Sequence, residues 1–428
     1  MKLKIVYKMK DRFLQFFRKV YHLKDKIAFF PTIISLAGCA FAYIMMYAEN
    51  QGISKYLIEF FPQLVINNTE TARNILTTFI GGLISIMVFS FSMVMILLNQ
   101  ASSNFSPRLL PGLISNRKHQ IILGIYIATI LYCIFILVFI EPSGNKYQLP
   151  GFSVLWSIIF MVFSLGSFIY FIHSISQEIQ IEFIMKRISS TAHKKLQNLL
   201  DLEKDKEFNF PDTSNWIEFK SKETGYFQDV SIKLLKEISL HNDCRLEIVS
   251  HKGTLCYKGE VLFKIEKELD EKNTDKIYKA FDFSNDEFIE DNYLIAFKHL
   301  KEIALKAMSP GINDPGTAMN AIDYLHELFK LRIIKQEKDF IFEEEECIIL
   351  LHIVAFEDLI YKVMASLRTY CKHDVIVVKK MLLFLKDLKT YTSKEDKIEI
   401  INKEIENLLV DARIAITNKT DLQKLQDI

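Results

Sequence analysis

The sequence predicts a mixed membrane protein, with a four-helix transmembrane domain followed by a mainly helical α+β cytoplasmic domain. Half of the 428 residues are hydrophobic, and mean hydropathy is +0.14. The 53 basic and 52 acidic residues nearly cancel but are unevenly placed. Residues 1–175 hold 15 Lys/Arg against 6 Asp/Glu, whereas residues 176–428 hold 38 against 46. All the long uncharged runs fall in the first part. Together these features exclude a simple soluble globule, a fibre and a disordered chain. An acidic second half also argues against a nucleic-acid partner, whose footprint is a basic patch.

The elements follow in order. Residues 1–26 form a basic leader with nine Lys/Arg. Within it Phe13, Phe16, Phe17 and Val20 recur at helical spacing among Arg12, Arg18, Lys19 and Lys24. Such a helix lies either in the membrane interface, apolar face down, or in the cytosol against the soluble domain. Spans are expected at 27–48, 75–98, 120–140 and 152–175, each near the ~20 apolar residues that cross a bilayer. The leader runs straight into a full-length span without a clean cleavage site, unlike a secretory signal. The basic leader, with one to three Lys/Arg in each later loop, places both termini and residues 176–428 in the cytoplasm of a multi-pass protein of the bacterial inner membrane.

Thr78, Ser85, Ser92 and Asn99 are spaced by seven on the second span and therefore share a face. Two readings fit: tight helix packing through small and hydroxyl side chains, or the wall of a polar pore. The middle of each span lacks Asp, Glu, Lys and Arg, which counts against an ion-coupled transporter. The six cysteines form no CxxC pair and suggest neither a disulfide framework nor a zinc site.

Residues 176–203 read as a juxtamembrane helix, and 204–428 as the cytoplasmic domain, after a break around Pro211 and Asp212. Residues 216–270 look like a small α+β unit. Its expected parts are a helix at 230–238 capped by Asp229 and strands at 245–250 and 260–266, with turns at Gly253 and Gly259. The remainder is expected to be helical, at 293–308, 315–334, 345–370, 374–389 and 395–417. In the long helix at 345–370, Ile348, Leu351, Ala355, Leu359 and Val363 mark an inward face, and the acidic run 343–346 sits at its start.

Between two of these helices lies Ser309-Pro310-Gly311-Ile312-Asn313-Asp314-Pro315-Gly316-Thr317-Ala318. Pro310 ends the incoming helix, Gly311 frees the turn, and Asp314 caps the outgoing helix with Pro315 at its first position. This is either a rigid corner or a site where turn N–H groups bind an anion, or where Asn313 and Asp314 face a cation or polar ligand. No Ser-His-Asp, Cys-His or paired-carboxylate arrangement can be assigned from the spacing, so an enzyme is the third reading and no catalytic residue, metal or cofactor is expected.

Several of these segments resemble one family. Thr71-Ala72-Arg73-Asn74-Ile75-Leu76-Thr77-Thr78, running on to Ala101-Ser102-Ser103-Asn104-Phe105-Ser106-Pro107-Arg108-Leu109-Leu110, is similar to "ARxxLxTI…LQxASSQFSPRLL". Thr224-Gly225-Tyr226 resembles a Ser-Gly-Tyr element, and residues 303–318 resemble "IALRALSPGINDPFTA". These are motifs of the bacterial predicted membrane proteins known as domain-of-unknown-function 2254. Two departures stand out: Gly316 replaces a usual aromatic, and Ala296-Phe297-Lys298-His299 replaces a Gly-x-Arg-Gln stretch. The resemblance implies four spans and a cytoplasmic domain, and marks Arg73, Ser106, Pro107, Arg108, Ser309, Pro310, Gly311, Asn313, Asp314 and Pro315 as motif residues. It supplies no activity, cofactor or substrate. The expected assembly is a homo-oligomer in the lipid bilayer, channel-like or gated, with a cytoplasmic partner or small ligand for the soluble domain. The alternative is a non-transporting membrane sensor or scaffold.

Overall fold

A run of some twenty uncharged residues can satisfy its backbone in hydrocarbon only by closing its own hydrogen bonds, as a helix does. In the computed structural model, residues 28–60, 66, 68–104, 117–140, 150–178, 180–203, 210–283, 292–343 and 346–428 are described. Among them four helices are long and apolar enough to cross a membrane. These are α1 (Phe29–Asn50), α3 (Thr69–Asn104), α4 (Arg117–Phe139) and α5 (Gly151–Glu178), with a short α2 (Ile53–Phe60) after the first. The leader, and the motif residues Ser106, Pro107 and Arg108, lie outside the described residues. The chain divides into two compact units, the second running from Gln180 to Ile428.

In the first unit, α1 and α4 approach closely at small residues. A Cβ on Gly38 would stand 2.8 Å from that of Ala128, and one on Gly124 would stand 2.9 Å from Ile34 Cδ1. Gly38 with Ala42, and Gly124 with Ala128, are small-xxx-small pairs that let two membrane helices touch at backbone distance. Beside this crossing, Phe41, Tyr132, Trp156 and Phe160 form a ring cluster with centroids 5.1–5.7 Å apart. Ser153, Ser157 and Ser164 of α5 are fully buried. Ser164 Oγ lies 3.3 Å from Thr129 Oγ1, and the Tyr132 hydroxyl donates to the Ser153 carbonyl at 3.0 Å.

One end of the bundle is tied by polar side chains. Glu49 accepts from the N–H and the hydroxyl of Ser153, both at 2.8 Å, and from Ser54 Oγ at 2.6 Å. Ser54 Oγ in turn accepts from the Phe152 N–H. A carboxylate thus meets the unsatisfied donors and positive dipole end of α5. Outward-facing positions such as Val88, Val138, Phe163 and Ile169 are apolar and exposed, as a lipid-facing surface requires.

The second unit begins with α6 (Ile181–Glu203), which packs on two helices described below. The expected juxtamembrane helix is therefore part of this unit. β1 (Ile217–Lys220) and β2 (Gly225–Val230) follow, then α7 (Ile232–Asn242), β3 (Leu246–Ile248), β4 (Thr254–Cys256) and β5 (Val261–Ile265). Next come α8 (Glu271–Tyr278), β6 (Phe281–Phe283), α9 (Leu294–Ala307), α10 (Pro315–Ile334), β7 (Lys338–Glu343) and β8 (Glu346–His352). The chain closes with α11 (Phe356–Cys371), α12 (Val375–Leu388), α13 (Glu395–Ala415) and α14 (Lys419–Gln426).

One sheet has the order β1-β5-β3-β8-β7 and a second the order β4-β2-β6. In the larger sheet only β3–β8 is parallel. Phe227, Phe263, Phe281, Leu246, Ile248 and Ile349 pack in the core shared by the sheets and α7.

Three expectations need correction. The helix expected at 345–370 is instead strand β8 followed by helix α11. The apolar run Cys347–Leu351, buried at every position, is the pattern of a central strand covered on both faces, and the helical spacing of Ile348, Leu351 and Ala355 was coincidental. The acidic run 343–346 accordingly belongs to the β7–β8 hairpin; Glu357 and Asp358 supply the acidic first turn of α11. Finally, Val230 ends β2 and α7 starts at Ile232, with Ser231 rather than Asp229 at the N-cap. Asp229 lies in β2 and pairs with Lys252. Gly253 and Gly259 do take positive φ, +82° and +94°.

Candidate functional site

The second span carries the first group of candidate residues. Thr78, Ser85, Ser92 and Asn99 are all exposed on the single chain. Ser85 and Ser92 donate back along the helix, to the carbonyls of Gly81 (3.0 Å) and Val88 (2.9 Å). The structure thus rules out packing of this stripe against the chain's other three spans. The polar contacts between spans run through Ser153, Ser164, Thr129 and Tyr132 instead. A hydroxyl that closes on its own i−4 carbonyl tolerates hydrocarbon, yet remains available to water or to a neighbouring helix.

Arg73 sits one turn inside α3, whose first turn is capped by Asn68 Oδ1 accepting from the Thr71 N–H at 2.9 Å. Its guanidinium donates to the Ile140 carbonyl at 3.3 Å, at the end of α4, where helix carbonyls lack partners. The motif arginine therefore ties the start of one span to the end of another.

The corner at 309–318 is built as a cap on each side. Asp314 Oδ1 accepts from the Thr317 N–H at 3.0 Å, with Pro315 opening α10. The hydroxyl and N–H of Thr317 hold the Asp314 carboxyl below its ordinary range. On the incoming side the Asp314 N–H donates to the Ala307 carbonyl (2.8 Å), and those of Ile312 and Asn313 donate to Ser309 (3.0 Å each). Ser309 Oγ donates to the Lys306 carbonyl. Three turn N–H groups that an anion would need are thus engaged inside the corner. The residue at positive φ is Asn313 (φ +49°). Gly311 is absent from that class, and a Cβ there would meet open space. Pro310 through Asp314 are exposed.

A buried ionic cluster, which no spacing in the sequence announces, joins α6 to the far end of α10. The Lys335 ammonium is fully buried and lies 2.5 Å from both Glu203, the last residue of α6, and Asp339 of β7. Glu203 also accepts from the Gln336 N–H at 3.2 Å. The buried Arg332 forks onto Glu337 at 2.9 and 3.3 Å and donates to the Val354 carbonyl. Lys397 of α13 reaches the Ile333 and Lys335 carbonyls and Glu337. Three cations face three carboxylates, so the group is neutral as a whole, which is the condition for burying it. Burial pushes the Lys397 ammonium below its usual range. Burial also raises the Glu337 carboxyl, but the hydrogen bond and charge of Arg332 outweigh this and leave it low.

A family model described as "Predicted membrane protein (DUF2254)" matches residues 24–387. The chain belongs to this family. An uncharacterized protein of Mycobacterium bovis and one of Mycobacterium tuberculosis H37Rv are each 21% identical to it over 331 residues, covering 73% of this chain and 63% of their own length. The match thus spans less than two thirds of these curated relatives. No solved structure matches the chain. Of the DUF2254 motif residues, the structure assigns a helix-end tie to Arg73 and capping to Asp314 and Ser309.

Proposed function

We propose that this chain is a multi-pass protein of the bacterial inner membrane that assembles from several copies around a permeation path lined by the second span. The observation that carries this reading is the outward stripe of Thr78, Ser85, Ser92 and Asn99. The four-helix bundle itself is filled by the rings of Phe41, Tyr132, Trp156 and Phe160, so a path belongs between copies, at a symmetry axis. The charge asymmetry of leader and loops puts both termini and the second unit in the cytoplasm. In liposomes the purified protein passes ions or small solutes, and Ser92→Leu or Asn99→Leu alters the flux. Absence of flux across a broad panel of ions and osmolytes refutes the reading.

A second reading, a non-transporting sensor or scaffold acting through the soluble unit, is favoured by the buried ionic joint at Glu203. That joint fixes the helix following the fourth span to the core of the second unit. Under this reading cross-linking of the full chain in native membranes captures a partner on the second unit, and the liposomes stay tight.

A further inference from the structure

Two histidines meet where the larger sheet changes strand direction. In the parallel pair β3–β8, Leu246, Glu247 and Ile248 stand opposite Ile349, Leu350 and Leu351. β8 runs on to His352, and the chain leaves β3 to reach His251. The two imidazole centroids lie 6.3 Å apart at 79°. His352 Nε2 is 2.8 Å from Glu247 Oε1, and Glu247 is only 4% exposed. Its second oxygen has no hydrogen-bond partner among the described residues. The β7–β8 hairpin pairs with the rest of the sheet through β3 alone.

Among the described residues, the charges around the pair are few. From β3 comes Glu247, and from α11 come Asp358 and Lys362, which act on His251. Lys252, next in the chain, is paired with Asp229 of β2. A proton on His352 makes an ion pair with Glu247. Among the described residues no carboxylate hydrogen-bonds His251; its ring meets that of His352, and the charge of Lys362 opposes a proton on it while that of Asp358 favours one. We propose that His251, His352 and Glu247 form a proton-operated latch, closed with one proton or none and opened at the β3–β8 join when both rings are charged. Burial first, and then the neighbouring His352, hold the His251 imidazole below its ordinary range. The opened strand ends bind that proton more readily, so opening grows as pH falls below about 6.5. The latch stands on its own geometry, whether or not the protein conducts.

The test is hydrogen exchange of the full chain in detergent, corrected for intrinsic rates, at about pH 7.5 and about pH 5.5. Peptides over 246–256 and 346–356 are expected to lose at least about tenfold protection at the lower pH, while those over β1 and β5 keep theirs. His251→Gln, which cannot charge, keeps protection at both. Lys362→Gln, at an exposed position, lessens the acid loss by removing a like charge. The proposal is overturned if the parent keeps its protection in acid, if the loss spreads evenly over the second unit, or if His251→Gln loses as much as the parent. Should His251→Gln fail to fold, Lys362→Gln decides: an acid loss equal to the parent's overturns the latch.

Discussion

At the scale of single residues, the 309–318 corner separates what a sequence states from what it hides. Asp314 as cap and Pro315 as first helical residue were legible, because capping depends on residue type and position alone. The residue at positive φ was not. Glycine is the usual occupant, but Gly311, read as the residue that frees the turn, does not take it, and Asn313 holds it at +49°. Gly311→Ala should therefore change stability by less than about 0.5 kcal/mol. Asn313→Ala should cost about 1 kcal/mol through backbone strain, and Asn313→Gly almost nothing. Thermal unfolding of the three variants checks this; equal losses at Gly311 and Asn313 would contradict it. Asp314→Ala should cost about 0.5–2 kcal/mol at neutral pH. Since the folded carboxyl titrates below its unfolded value, the stabilisation is complete above about pH 4 and disappears as pH falls through the folded value. The gap in melting temperature between parent and Asp314→Ala should close in acid, provided the chain still unfolds reversibly there.

Among the elements, membrane helices were the easiest to read. Hydrocarbon demands an uninterrupted apolar run, and nothing else in a chain looks like four of them. Their packing was less legible: the conspicuous heptad of hydroxyls faces outward, while the contacts fall to Gly38, Gly124 and the serines of α5. Gly38→Leu should separate α1 from α4 and cost at least about 2 kcal/mol, the order expected for overpacking. Val138→Leu, at an exposed apolar position, should be neutral. Steric-trap or denaturant unfolding in detergent measures both. Strand β8 was misread because a short apolar run suits a buried strand or a buried helix, and only its sheet neighbours decide. The ionic joint left no trace in sequence, since Glu203, Lys335 and Lys397 look like ordinary helix-end charges until the fold brings them together. Lys335→Met leaves the half-buried Glu203 and Asp339 without their ammonium and should cost roughly 1–3 kcal/mol. Glu203→Gln, which leaves Asp339 in place, should cost less. The reverse order in denaturant unfolding would argue that Glu203 is the main partner of the cation.

For the whole molecule, the division of charge foretold two units of different chemistry, one with four helices apolar enough to cross a membrane and one α+β, and the DUF2254 match runs across both. The proposed permeation path rests on the face of α3 that one chain leaves uncovered. In a single copy this face is a line of hydroxyls among lipid-facing apolar side chains. In an assembly of copies around an axis it becomes a polar wall. Cysteine labelling in liposomes distinguishes these directly. In a chain whose six native cysteines have been replaced, Ser85→Cys, Ser92→Cys and Ile169→Cys are each exposed to a charged, membrane-impermeant thiol reagent. Ile169 serves as the apolar reference, at 71% exposure. A water-filled path between copies predicts rapid modification at 85 and 92 and none at 169; modification at 92 no faster than at 169 would contradict the account.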